Sequence, residues 1–176
     1  MCSLRRVGAV LAAVVVLLAG CSRGVAPEEW ASRVCQALAP WTEEIATLTQ
    51  DAQAEMAKAT TPEEAKRSIV TLLRGAEEAS EEARRGVEEA GIPAVDDGER
   101  IAEEFVAALE AARDAYGSAR EAVEQLPTND ADAFYDGVVD AMAQLTEDYN
   151  DSAVDTSDLS SDELQQAFDE VPECQG

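Results

Sequence analysis

Asp148, Asn150 and Ser152 stand at alternate positions, as the first three oxygen ligands of a calcium-binding loop do. Such a loop needs glycine at its sixth position and a bidentate glutamate at its twelfth, where this chain has Ala153 and Leu159. A looser cation site would draw on Asp148, Asp151, Asp155 and Asp158; the alternative is a solvated acidic loop. Other chemistry is thinner. The chain has no histidine. That removes Ser-His-Asp and Cys-His nucleophiles and the nitrogen ligands of a mixed zinc site. Lys58 and Lys66 are its only lysines, and neither lies three residues after a serine. It has no glycine-rich phosphate loop and no dinucleotide fingerprint. The doublets Glu77-Glu78, Glu81-Glu82 and Glu88-Glu89 supply paired carboxylates. Glycoside chemistry needs an enclosed pair with one acid pushed up in pKa, whereas these sit on the polar face of a helical pattern. The expectation is a protein with no catalytic residues and no cofactor.

Four cysteines carry the remaining chemistry. Arg5 and Arg6 precede an apolar run from Val7 to Ala19, about 13 residues, too short for a hydrocarbon core about 30 Å thick. The run fits the apolar region of a secretory signal with small residues before the cut. Leu18-Ala19-Gly20-Cys21 resembles a bacterial lipobox, which implies a lipid on Cys21 and cleavage that makes it the N-terminus. Residues 1–20 then form the signal, 21–26 a short lipidated tether and 27–176 one domain. Cys2 leaves with the signal, so Cys35 and Cys174 remain for a single disulfide, in a compartment that permits one. A thiol metal or redox site is disfavoured, because there is no Cys-x-x-Cys pair.

The formal charge is -24. It is unevenly placed: Arg120 is the last base, and 16 acids follow it. Such a surface repels nucleic-acid phosphates. It also repels anionic headgroups within about 8 to 10 Å, so the acidic face is expected to turn away from the bilayer.

Everything after residue 27 has a helical pattern, rich in Ala and Glu and without period-two alternation. The first helix is expected over about Pro27–Ala59, with Trp30, Val34, Leu38, Trp41, Ile45 and Leu48 on one stripe and a kink or break at Pro40. The second starts with Thr61 as N-cap, Pro62 as first residue and Glu64 completing a capping box, and stops at Gly91-Ile92-Pro93. Its stripe includes Ile69, Leu72, Leu73, Ala76, Ala79, Ala83 and Val87. The third is expected over about Asp96–Leu126, and the fourth over about Ala131–Asn150, burying Phe134, Val138, Met142, Leu145 and Tyr149. After an irregular connector, Asp151–Ser160, a short helix begins at Ser160 as N-cap and buries Leu164, Ala167 and Phe168. Short turns between long helices predict an all-α, up-down antiparallel bundle of four long helices plus a short C-terminal one. The disulfide would join its N- and C-terminal regions. The turns argue for a monomer.

The segments Glu29-Trp30-Ala31-Ser32-Arg33-Val34-Cys35 and Glu163-Leu164-Gln165-Gln166-Ala167-Phe168, with Pro172-Glu173-Cys174, resemble small uncharacterised lipoproteins of high-GC Gram-positive bacteria. The resemblance implies an extracytoplasmic, membrane-anchored location, an all-helical fold and the same terminal cysteine pair. It implies no activity. The functional expectation is a non-enzymatic interaction or scaffold module with an acidic face for a basic envelope protein. The alternative is a lipoprotein that binds a small molecule or a cation such as calcium.

Overall fold

The computed structural model describes residues 24–152 and 161–175, the side chains of Asp151 and Ser152 excepted. The chain forms α1 (Pro27–Met56), α2 (Pro62–Ala90), α3 (Gly98–Gln125), α4 (Ala131–Ser152) and α5 (Asp162–Glu170), followed by a 3-10 turn (Pro172–Cys174). Consecutive long helices run antiparallel. Trp41 faces Ser80 and Trp30 faces Gly91 across α1 and α2; Lys66 reaches Glu124 and Arg113 reaches Glu81 across α2 and α3. Tyr116 meets Tyr149 across α3 and α4.

Helices α2 and α5 start on a side-chain cap. In α2 the backbone N–H of Glu64 donates to Thr61 Oγ1 at 3.3 Å. The Glu64 carboxylate closes the box one residue earlier than expected, accepting from the N–H and hydroxyl of Thr60 at 2.8 and 2.9 Å. At its other end Gly91 takes φ 83° and ψ -156°, a positive-φ conformation that leaves the helix and that glycine adopts without a Cβ clash. The last helix begins one residue later than expected: Ser161, not Ser160, accepts from the backbone N–H of Leu164. Pro40 does not divide α1, which runs through it without a break. The stripe on both sides of Pro40 is anchored, Trp30 and Val34 before it and Trp41 after it, so packing outweighs one lost backbone bond.

The core has two ends. One gathers Trp30 and Val34 of α1, Val87 of α2, Ile101 and Phe105 of α3 and Leu164 of α5. The other gathers Ile69 and Leu73 of α2, Val123 of α3 and Ala141 of α4. The fourth leg of the bundle is thus shared. α4 packs on α3 and touches α2, while α5 and the 3-10 turn pack on α1. Among the described residues no Cα pair within 8 Å joins α1 to α4. One-sided packing explains why α4 buries only Phe134 of its five expected core residues, with Ala141; Val138, Met142, Leu145 and Tyr149 stay half-buried.

Candidate functional site

The Cys35–Cys174 disulfide forms, with the Cα atoms 5.2 Å apart across a sequence separation of 139. It ties the 3-10 turn to the first third of α1. Beside it Trp30 meets Phe105 of α3 and Phe168 of α5 edge-on, with ring centroids at 5.3 and 5.9 Å, and the two phenyl rings stack at 6.0 Å. Three helices that share no turn are locked by these rings. The Trp30 indole N–H donates to the carbonyl of Gly91 at 2.8 Å, satisfying a group that the end of α2 leaves open.

The segment before α1 is part of the same end. Val25 N–H donates to Ile92 O, and Ala94 N–H donates to Val25 O, both at 2.8 Å. No local pattern announces this two-bond clamp, which needs the α2–α3 turn alongside. Cys21 itself lies outside the described residues, as do Asp155 and Asp158. Of the calcium candidates, Asp148 lies half-buried on α4, where its carboxylate accepts from Gln144 Nε2 at 2.8 Å. Asp151 is described in its backbone only. Among the described residues no group of three or more His, Cys, Asp or Glu converges to hold a metal ion, and no helix is long and apolar enough to cross a membrane.

The acidic doublets of α2 divide between two environments. In each pair the first glutamate takes an arginine. Glu77 accepts from Arg120 Nε at 2.8 Å. Glu81 accepts from Arg84 Nε and Arg85 Nε at 2.8 Å each and from Arg113 Nη1 at 3.0 Å. Glu88 accepts from Arg84 Nη1 at 3.0 Å. The hydrogen bond from Arg84, with those from Arg113 and Arg85, holds the Glu81 carboxyl down to about 2, against desolvation acting the other way. The second members, Glu78, Glu82 and Glu89, form no ion pair described in the structure. A residue step of about 100° around a helix turns neighbours to different faces. Glu78 and Glu82 line both the α2–α3 cleft, where Arg74, Arg85, Arg113 and Arg120 stand, and the cleft between α2 and α1, with Glu44 opposite.

Trp41 stands in that cleft. Its indole N–H donates to Ser80 Oγ at 3.0 Å, and Ser80, fully buried, donates on to Ala76 O at 2.8 Å. Trp30 is core and Trp41 borders solvent, although both lie on one stripe. Ser80 was absent from the expected stripe of α2; the spacing 73, 76, 80, 83, 87 contains it, and its hydroxyl alone disguised it. The acids of α4 and α5 are different again. No ion pair described in the structure uses a carboxylate of either helix; those of Arg33, Arg74, Arg84, Arg85, Arg113 and Arg120 stay within α1, α2 and α3.

No protein-family model, no curated protein and no solved structure matches this chain.

Proposed function

We propose that this protein is a lipid-anchored, non-enzymatic module of the cell envelope that docks a basic protein partner on the extracytoplasmic side. The observation that carries the reading is the unneutralised charge of α4 and α5. Their carboxylates have no described counter-ion within the chain, and Arg120 is the last base in the sequence. A basic partner supplies what is missing, and such fields chiefly raise the association rate and select the partner.

The clamp at Val25 supports the tethered half of the reading. Gly24 follows Cys21 by three residues, a reach of at most about 11 Å. An anchor on Cys21 therefore holds the α2–α3 turn and the start of α5 nearest the bilayer, and the far ends of α1 and α3 away from it.

Two measurements test the proposal. Mass analysis of the N-terminal peptide from membranes should show a diacylglycerol-sized addition on Cys21, absent from Cys21→Ala. Cross-linked capture from the same membranes should enrich one basic partner and lose it as salt rises. An unmodified Cys21 would refute the anchor. Capture that is indifferent to salt would refute the acidic face.

A further inference from the structure

The second half of α1 is incompletely covered. The buried residues of α1 end at Val34; none from Cys35 to Met56 is buried. The apolar stripe continues all the same, through Leu38, Trp41, Ile45, Leu48 and Ala52, each half-buried. α5 and the 3-10 turn pack on α1 around Cys35, whose Cα lies 5.2 Å from that of Cys174, and among the described residues α4 makes no backbone contact with α1.

The seam with α2 opens into two clefts of about 440 and 430 Å³, either side of the point where Leu48 lies over Gly75. The first cleft is walled by the Trp41 ring and floored by small residues, among them Ala37 and Ala79. Close approach keeps the floor small: a Cβ at Gly86 would stand 2.7 Å from that of Ala37. Glu44, Glu78 and Glu82 rim it, and no described ion pair engages any of them.

We infer that this α1–α2 groove is the seat of a basic amphipathic helix on the partner, a proposal that rests on the basic-partner reading above and gives it a location. The occupant follows from charge. A second copy of this chain brings another -24 and is repelled, as are anionic lipid surfaces and nucleic acids. A helix with leucines on one face and lysines or arginines beside them fits the apolar stripe and the acidic rim of the first cleft; in the second, Asp51, Glu55 and Glu64 stand beside Lys58 and Arg67. Its apolar face covers the stripe from Leu38 to Ala52, as in helix-in-groove recognition. Its cations meet the three carboxylates, and one of them can lie over the Trp41 indole. From Gln36 to Ala59 the groove is about 35 Å long, so it accommodates a helix of about 20 residues.

The test uses full-length protein in zwitterionic nanodiscs, with empty nanodiscs as blank. The probes are a 21-residue Leu/Lys amphipathic helix, a scrambled peptide of the same composition, and a Leu/Glu counterpart. The Leu/Lys helix should bind one-to-one and shift tryptophan emission, and Trp41→Phe should abolish the shift. The triple variant Glu44→Gln, Glu78→Gln, Glu82→Gln should weaken binding at least about tenfold, with unchanged helicity and Tm. Ala79→Leu, which fills the floor without altering charge, should weaken it too. Neutralising Asp132, Asp136 and Asp140 on α4 should lower the association rate and leave dissociation nearly unchanged. Equal binding of the scrambled peptide overturns the groove. So does a groove triple variant that binds normally while the α4 variant does not, and in that case the acidic-face reading survives. No binding of either lysine peptide above the blank overturns both.

Discussion

Trp30 and Trp41 lie three helical turns apart on one stripe, and the difference between their partners sets what each is worth. Trp30 is fully buried, and its N–H is the donor to Gly91 O. Trp30→Phe leaves that carbonyl without its indole donor and shrinks the ring that meets Phe105 and Phe168, so it should cost about 1–3 kcal/mol in denaturant unfolding. Trp41→Phe removes a donor from Ser80, which keeps its own bond to Ala76 O. Its cost should stay under about 1 kcal/mol. Glu81 makes a pH prediction. Its folded pKa of about 2 lies below the ordinary carboxylate value of 4.5, so the unfolded chain binds the extra proton in between. The stability it contributes is present above pH 4.5 and fades as pH falls toward 2. The Tm gap between the wild type and Glu81→Gln should therefore be widest near neutrality and close across that window. A gap that widens on acidification would contradict the arginine cluster as its cause.

At the scale of elements, the helices are finished by their neighbours. Neither α2 nor α3 has a base in its last turn. Lys66, in the first turn or so of α2, donates to the carbonyls of Glu124 and Leu126 at 2.6 and 2.8 Å and so caps α3. Trp30 and, at 3.4 Å, Arg33 serve the end of α2 in the same way. Helix ends that depend on a neighbour form together with it, which ties element stability to tertiary packing. Helix starts are capped locally instead, by Thr60, Thr61 and Glu64 in α2, by Asp130 in α4 and by Ser161 in α5. Thr61→Ala should cost about 1 kcal/mol. Hydrogen exchange should localise the effect to the first turn of α2, while Lys66→Met should instead fray the end of α3.

At the scale of the molecule, the disulfide closes nearly the whole domain. Chain-entropy reasoning gives about 4.7 kcal/mol for a 100-residue loop, and native bridges removed from small exported domains cost about 2–5 kcal/mol. The paired variant Cys35→Ser, Cys174→Ser should lose stability in that range. The loss should be uneven. Nine-residue α5 is held by the bridge, by Phe168 and by Leu164, whereas α2 and α3 hold each other along their full length. Exchange protection should therefore fall first in α5 and the 3-10 turn, and least in the α2–α3 hairpin. Uniform loss of protection would show that the two ends of the core unfold as one unit.

Local rules were enough for much of this chain. Helix number, the turns near residues 60, 91 and 127, the Thr61 cap and the cysteine pairing were legible because each depends on spacing or composition within a few residues, or, for the cysteines, on the expectation that Cys2 and Cys21 are otherwise used. The start of α5 was misplaced by one residue because Ser160 and Ser161 are chemically equivalent caps until a backbone N–H chooses between them. Tertiary structure alone decided the rest. Pattern shows that a stripe is apolar and cannot show which neighbour covers it. Five expected core residues on α4 became one, and α1 buries nothing after Val34. Charge counting likewise shows that the glutamates of α2 come in pairs. Glu88 takes Arg84 from its own helix, but it took the approach of α3 to bring Arg120 to Glu77 and Arg113 to Glu81, and of α1 to place Glu78 and Glu82 at the edge of a second cleft. Burial and charge pairing are properties of two surfaces meeting, and a single helix carries only one of them.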